Sequence, residues 1–559
     1  MRKSALMVMT LFFTMTLLAQ VAPDKYFIEF TDKNNSPYSI DRPGEFLSDR
    51  AIQRRQNQWI GIEENDLPVN PSYVEAIKNI NVTILTRSKW LNGITIHTNN
   101  IALVDSIGRL PFVKSIVKNK IMPINSGTVP HNKFHVEENF KQYISPGVSW
   151  EKQSNEVSYN YGPSYAQIHM LKGEELHQLG YRGQGKVIAI LDAGFFMANT
   201  LPVFDSLRAN NQILGTKDFV DPGNDVYLES PHGMEVLSVI GGNFPGQLIG
   251  TAPKAGFWLL RPEDTGSEYL IEEYNWVSAA EFADSVGADI INSSLGYTRF
   301  DNHEQDHTCA DMSGDKTPVT RGANIASTKG LLVINSAGNS GGSDWQCVGA
   351  PADGFSVLAI AAVDSMGIRA SFSSVGEATN RVKPNVAAMG AGTILAGSNG
   401  NFFTGSGTSF SAPLIAGMAA CLWQTKSWAS NYYILRSIER SANQFLQPDS
   451  FLGFGIPDFK KAMNLVVLPE AEKFNRLQVY PNPFTNQVKI MLFAAIKQIV
   501  IIKLYDLQGR IVYSKENIEC PVGEKRIDVF LPDELPTGCY CLHLISTEVF
   551  RTSLLVKIK

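Results

Sequence analysis

The chain has 559 residues, 44% of them hydrophobic, and a formal net charge of -5. That is material for a large core and, at about 150 residues per domain, for roughly three or four domains. With no basic face and no long charge run, the composition sets aside nucleic acid and other polyanions as partners.

At the N-terminus, Arg2 and Lys3 precede an apolar run over 5–19 that turns polar at 20–24, the layout of a signal peptide over residues 1–20. The run is shorter than the roughly 20 residues of a spanning helix, so the mature chain is expected to be soluble and exported. Residues 26–30 then read as a strand, 46–56 and 73–78 as helices, and 82–85 and 94–97 as strands around the SKWLNG turn. This predicts a small α+β unit over 21–125. Residues 126–160 are polar, without clear periodicity, and read as an exposed linker. The unit before such a linker is either a permanent accessory module or a removable pro-segment.

Residues 161–465 alternate apolar runs with helical patterns: strands at 187–192, 257–260, 290–294, 331–336 and 357–363, helices at 277–286 and 323–327. A succession of βα units predicts an α/β domain with a mostly parallel sheet covered on both faces. In such sheets the working residues gather at the carboxyl ends of the strands.

Four candidates stand there or at helix starts. Asp192 closes the VIAIL strand, where an acid is costly unless a partner such as a histidine bonds it; the plain alternative is a cap on the next turn. His232, between Pro231 and Gly233, opens a helix, a place more often taken by a surface cap than by a base. Asn339 follows LLVINSAG and either satisfies backbone groups or serves as a neutral donor to developing negative charge. Ser409 sits in GSGTSFSAP, a turn of small residues; Pro413 is read as one of the first, unbonded helix amides, so that the helix starts at or just before Ser409. Its Oγ would then stand at the positive end of a helix dipole. Residues 474–559 change to short strands parted by PNPF, LQG, VGEK and PTG, which reads as a small β-sandwich, a binding or structural module on those patterns alone.

In chain order the candidates are Asp, His, Asn and Ser, and Asp, His, Ser is the subtilisin order. The chain resembles the subtilases: LDAGF is similar to their aspartate motif, HGMEVLSVIGG to the histidine motif, NSAGN to the oxyanion asparagine motif and GTSFSAP to the serine motif. ADIINSSLGY and GTAPKAGFWLL resemble the substrate-binding strand and the strand before it. The resemblance implies a three-layer subtilisin-like domain preceded by a small α+β propeptide domain, and a secreted serine endopeptidase made as a zymogen. Ser409 would be the nucleophile, His232 the base, and Asp192 the group that holds the imidazole. Asn339 and the Ser409 amide would receive the oxyanion. Backbone at Ser294, Leu295 and Gly296 would pair with an extended polypeptide substrate, and Ser336, Ala337 and Gly338 would border the primary pocket. The family's usual threonine and second histidine after the histidine-glycine pair are Met234 and Glu235 here, and Ala193 follows Asp192; none of these replaces a catalytic group.

The competing class is a non-catalytic subtilase-like surface or binding protein. An esterase has no GxSxG elbow around Ser409, and a metalloprotease has no HExxH. The unit over 21–125 is implied to be the chain's own inhibitor and folding helper, cut off between about 122 and 159. No cofactor is expected, although the resemblance allows calcium; Asp311 and Asp315 in DMSGD lack EF-hand spacing and read as a polar turn, so no metal ligand is assigned. YPNPF at 480–484, LYDLQGRIVY at 504–513 and PTGCYCLHL resemble the sorting domain of proteins exported by the type IX secretion system. That implies the type IX machinery as a partner and a secreted or cell-surface destination. With six cysteines and an oxidising destination, a Cys309 to Cys347 bridge around the Asn339 turn is expected, two free thiols being the alternative.

Overall fold

Ser48 and Asn70 start the first two helices of the N-terminal module. Ser48 accepts from Ala51 N to open α1 (Asp49–Asn57), and Asn70 accepts from Ser72 N to open α2 (Pro71–Lys78), with Pro71 at the first helical position, where no amide is needed. The remaining elements are β1 (Lys25–Phe30), β2 (Thr83–Ser88), β3 (Gly93–His97), α3 (Ile101–Gly108) and β4 (Val113–Ile116). They form an antiparallel sheet in the order β2-β3-β1-β4. The structure is a computed structural model and describes residues 22–117, 159–376, 381–466, 478–494, 498–520, 523–532, 534–546 and 550–558. The expected signal peptide and most of the expected linker lie outside them.

A seven-stranded sheet carries the next region. Its strands are β5 (Val187–Leu191), β6 (Ile213–Asp218), β7 (Gly256–Arg261), β8 (Ile290–Ser293), β9 (Leu332–Ser336), β10 (Val357–Val363) and β11 (Val386–Met389). They are all parallel, in the order β11-β10-β9-β8-β5-β7-β6. Strands β5, β8, β9 and β10 are buried along their whole length, because helices cover both faces. On one face α4 (His232–Gly241) and α7 (Thr408–Thr425) share a core with Ile188, Ile190 and Leu259. On the other, α5 (Ile271–Val286) and α6 (Pro318–Thr328) cover Ala189, Leu191 and Ile291. The hairpin of β12 (Ala391–Ala396) and β13 (Phe402–Ser406) leads the chain into α7.

Sequence patterns miss the edge strands β6 and β11. ILGTKD in β6 is largely accessible and polar, and β11 is four residues of VAAM. Helix α5 starts at Ile271, ahead of the expected 277, because its first turns look polar. Those polar groups are buried with partners: Glu273 accepts from Val319 N (3.0 Å), and Glu272 from Asp264 N (3.1 Å).

The N-terminal module docks on α5. Phe27 stacks on Tyr274 with ring centroids 4.2 Å apart. Glu281 accepts from Ser88 Oγ (2.6 Å), Lys89 N (2.8 Å) and Trp90 N (2.9 Å). Asp284, fully buried, takes Arg54, Arg55 (2.9 Å) and Lys89 (3.0 Å), all from the module.

The second unit, from Val467 to Lys559, is a β-sandwich. Its strands are β14 (Gln478–Tyr480), β15 (Gln487–Ala494), β16 (Gln498–Tyr505), β17 (Ile511–Cys520), β18 (Gly523–Phe530), β19 (Gly538–Ser546) and β20 (Phe550–Lys557). Sheets β14-β15-β18 and β17-β16-β19-β20 contribute Val488, Ile527, Ile502 and Leu542 to one core. Among the described residues no helix is long and apolar enough to cross a membrane.

Candidate active site

Asp192 directly follows β5 and is fully buried; His232 is the first residue of α4. His232 Nδ1 lies 2.7 Å from Asp192 Oδ1, and Ala193 N donates to the same oxygen at 2.8 Å. This approach needs Gly233: a Cβ there would come within 2.3 Å of Gly194 O and 2.8 Å of Asp192 Cβ. Burial works against a charged imidazole, but the Asp192 carboxylate outweighs it, helped by Glu235 and Glu263, so the His232 pKa is raised above its ordinary value. Glu235, one of the departures from the family motif, thus acts on the imidazole through its charge.

Ser409 is the second residue of α7, so the helix begins where the sequence places it, one residue ahead at Thr408. The reason differs. Pro413 lies inside the helix rather than among its first unbonded amides, and so removes the bond that Ser409 O would otherwise accept. Ser294 Oγ fills that vacancy, donating to Ser409 O at 2.9 Å, while Ser409 Oγ donates to Ser294 O at 3.4 Å. The ring of Phe410 stands 5.9 Å from that of His232, which brings the first turns of α7 and α4 together.

Asn339 is exposed, and its side chain is oriented from one end: Oδ1 accepts from Thr408 N (2.9 Å) and Thr408 Oγ1 (2.8 Å). Its amide nitrogen is therefore the end available to an incoming group. Gly338 makes the preceding turn with φ +108, and its N donates to Thr408 Oγ1 at 3.2 Å. The segments expected to border the substrate are 294–296 and 336–338. Ser294, Leu295, Ser336 and Ala337 are buried, Gly338 is half-buried and Gly296 is exposed. Asn335 Nδ2 ties the two segments together, donating to Leu295 O (2.9 Å) and Ser336 O (2.8 Å). Sequence reasoning passed over Thr408 and Asn335. The available signal for Asn335 is an amide directly after the apolar run LLVI, a position that demands partners once buried.

Cys309 and Cys347 form a disulfide that ties the segment after Tyr297 to the chain just beyond Asn339. Asp311 is committed to Thr308 and Lys316, which does not suit a cation loop. Among the described residues the one group with metal-ligand spacing is Glu263, Glu268 and Glu272, whose carboxylate oxygens lie within 4.8 Å of one another. Glu263 accepts from Tyr297 Oη at 2.8 Å, and burial together with these acids holds the Tyr297 phenol well above its ordinary pKa.

Three family models match the chain. Residues 25–134 match the Peptidase S8 propeptide domain, Bacteroidota, residues 183–455 the Subtilase family, and residues 478–557 the Secretion system C-terminal sorting domain. Subtilisin NAT of Bacillus subtilis subsp. natto is 29% identical over 323 residues, 57% of this chain and 76% of that protein. Subtilisin of Bacillus pumilus is 29% identical over 300 residues, 53% of this chain and 97% of that one. Among solved structures, the prenylagaramide maturation protease PagA aligns with a TM-score of 0.42 at 23% identity, covering 53% of this chain and 98% of that one.

Proposed function

We propose that this chain, a subtilase made behind a peptidase S8 propeptide domain and ahead of a type IX sorting tail, hydrolyses peptide bonds with Ser409 as nucleophile, His232 as base and Asp192 as the group that orients it. Ser409 Oγ bonds to the scissile carbonyl carbon while its proton passes to His232. The C–N bond then breaks as His232 gives that proton to the leaving amine, and water repeats the sequence on the acyl-enzyme. Asn339 and the Ser409 amide receive the oxyanion. The walls at 294–296 and 336–338 take the substrate as an added strand. Nucleophile, base and donors all come from the chain, so we infer no cofactor in the reaction. The N-terminal module is the chain's own inhibitor, and the tail engages the type IX machinery for export.

The observation that carries this reading is the buried 2.7 Å contact between His232 Nδ1 and Asp192 at the foot of the Ser409 helix. A fluorophosphonate tests it: the processed chain is expected to take one label, on Ser409. The base must be neutral to act, and against burial the Asp192 carboxylate raises its pKa, so the labelling rate should fall as pH drops through a value above the ordinary histidine one. A processed chain that stays unlabelled in mild alkali would favour a non-catalytic subtilase-like protein. Replacing Asn339 by Ala should lower kcat by about 10²- to 10³-fold with little change in KM, the loss of one oxyanion donor. An equal rise in KM with kcat intact would assign Asn339 to substrate binding instead.

A further inference from the structure

At the carboxyl end of β7, Arg261 is buried behind the Asp192–His232 pair. Its Nε donates to Ala193 O (3.1 Å), the carbonyl just after Asp192. Nη1 donates to Asp218 Oδ2 (2.8 Å) at the end of β6, and Nη2 pairs with Glu229 Oε2 (3.1 Å) in the segment that leads into His232. The Asp218 anchor is itself fixed, because its other oxygen accepts from Val220 N (2.8 Å) and Asp221 N (2.9 Å).

A guanidinium is planar and rigid, with its N–H groups at set angles. One such plane here joins three chain segments: the turn after the acid, the approach to the imidazole, and a neighbouring strand end. Charge balance alone would need only Asp218. The bond to Ala193 O, a neutral carbonyl, calls for another explanation. Ala193 N holds the same Asp192 oxygen that His232 Nδ1 contacts, so fixing Ala193 fixes the carboxylate, and fixing Glu229 fixes the entry to α4.

We propose that Arg261 is a positioning residue for the reaction: by gripping Ala193 O and Glu229 at once it sets the distance and tilt of Asp192 against His232. The proposal rests on the roles given above to Asp192, His232 and Ser409. The charged groups that act on the imidazole are Asp192, Glu235 and Glu263, and of these Asp192 is the one held through Ala193, which Arg261 grips.

The test is peptide hydrolysis across pH by the secreted, processed chain, with active sites counted by fluorophosphonate so that misfolded protein drops out. Arg261→Met is expected to lower kcat on the order of 10²-fold, the scale of a small misplacement of reacting groups, with KM within about threefold. The acid limb of kcat/KM should move: a looser hold on Asp192 lowers the imidazole pKa while loss of a nearby cation raises it, so Arg261→Lys, which keeps the charge, should show the downward move alone. Arg261→Lys keeps the charge without the fork and should recover only part of the loss. Glu229→Gln should lose on the order of tenfold, and the double variant should be no worse than Arg261→Met, since both act through one contact. Arg261→Met with wild-type kcat and an unmoved acid limb, a loss confined to KM, or full rescue by Lys would each overturn the proposal. If Arg261→Met is not secreted, wild-type kcat in Glu229→Gln overturns it. Activity surviving in Ser409→Ala would instead overturn the triad reading, and this one with it.

Discussion

Ser409→Ala is expected to be exported and folded, and to hydrolyse peptides about 10⁶-fold more slowly, the scale known for loss of a subtilisin nucleophile. On the proposed roles the effect is large because the three groups act as one unit: without Oγ, the base has nothing to deprotonate, and the oxyanion donors meet no alkoxide. Binding and the oxyanion site alone leave roughly 10³- to 10⁴-fold over water. Stability should barely change. The side chain contributes one long bond, 3.4 Å to Ser294 O, whereas the bond from Ser294 Oγ to Ser409 O uses the main chain and survives the substitution. Thermal unfolding should therefore match wild type while turnover vanishes. A chain that cuts its own linker should also stay uncut in this variant, which gel mobility would report. Retention of a tenth of wild-type activity would remove Ser409 from the chemistry.

The second large effect is expected at Asp284, far from bond cleavage. Its buried carboxylate faces Arg54, Arg55 and Lys89 of the N-terminal module. Removing one partner of a buried ion pair costs about 3–5 kcal/mol, since the cations left behind are desolvated and unpaired. Asp284→Ala should thus weaken the hold of the cleaved module by roughly two to four orders of magnitude. The measurement is the rise of activity after dilution of the cleaved complex, which should become faster and more complete. Unaltered release would mean that the Glu281 bonds and the apolar contacts around Phe27 and Trp90 carry the interface without Asp284. The sign with pH follows from the same contacts. Burial works against charge on Asp284, but Lys89, Arg54 and Arg55 hold its carboxyl well below the usual range. Its attraction is therefore complete above the ordinary carboxylate value and is lost only as pH falls through the lowered one. Mild acid should not free the module through this residue.

Much of this was legible in the sequence because apolar runs and glycine turns follow backbone geometry. The β5 strand announces itself as VIAIL, and its end delivers Asp192. The small residues at 405–409 mark the Ser409 helix, although Gly405 and Ser406 close β13 and Gly407 alone separates that strand from α7. What stayed hidden was polar structure inside the core. Glu272 and Glu273 made the start of α5 look like a loop, although both are buried with partners. Thr408, Asn335 and Arg261 are polar residues whose purpose depends on segments distant in the chain, and no local period reveals such partners. The edge strands β6 and β11 were missed for the opposite reason, being too polar or too short to register. The signal peptide and the proposed cleavage stretch lie outside the described residues, and neither is judged by the structure.

The proline at 413 has a mechanical consequence. By sparing the Ser409 carbonyl from its own helix, it lets Ser294 claim it, so Ser409 and the segment just after β8 share a tether in each direction. In the proposed reaction, a substrate that pushes on that segment also shifts the hydroxyl that must reach it. A smoother helix, with an ordinary amide at that position, would compete for the carbonyl and let grip and attack drift apart.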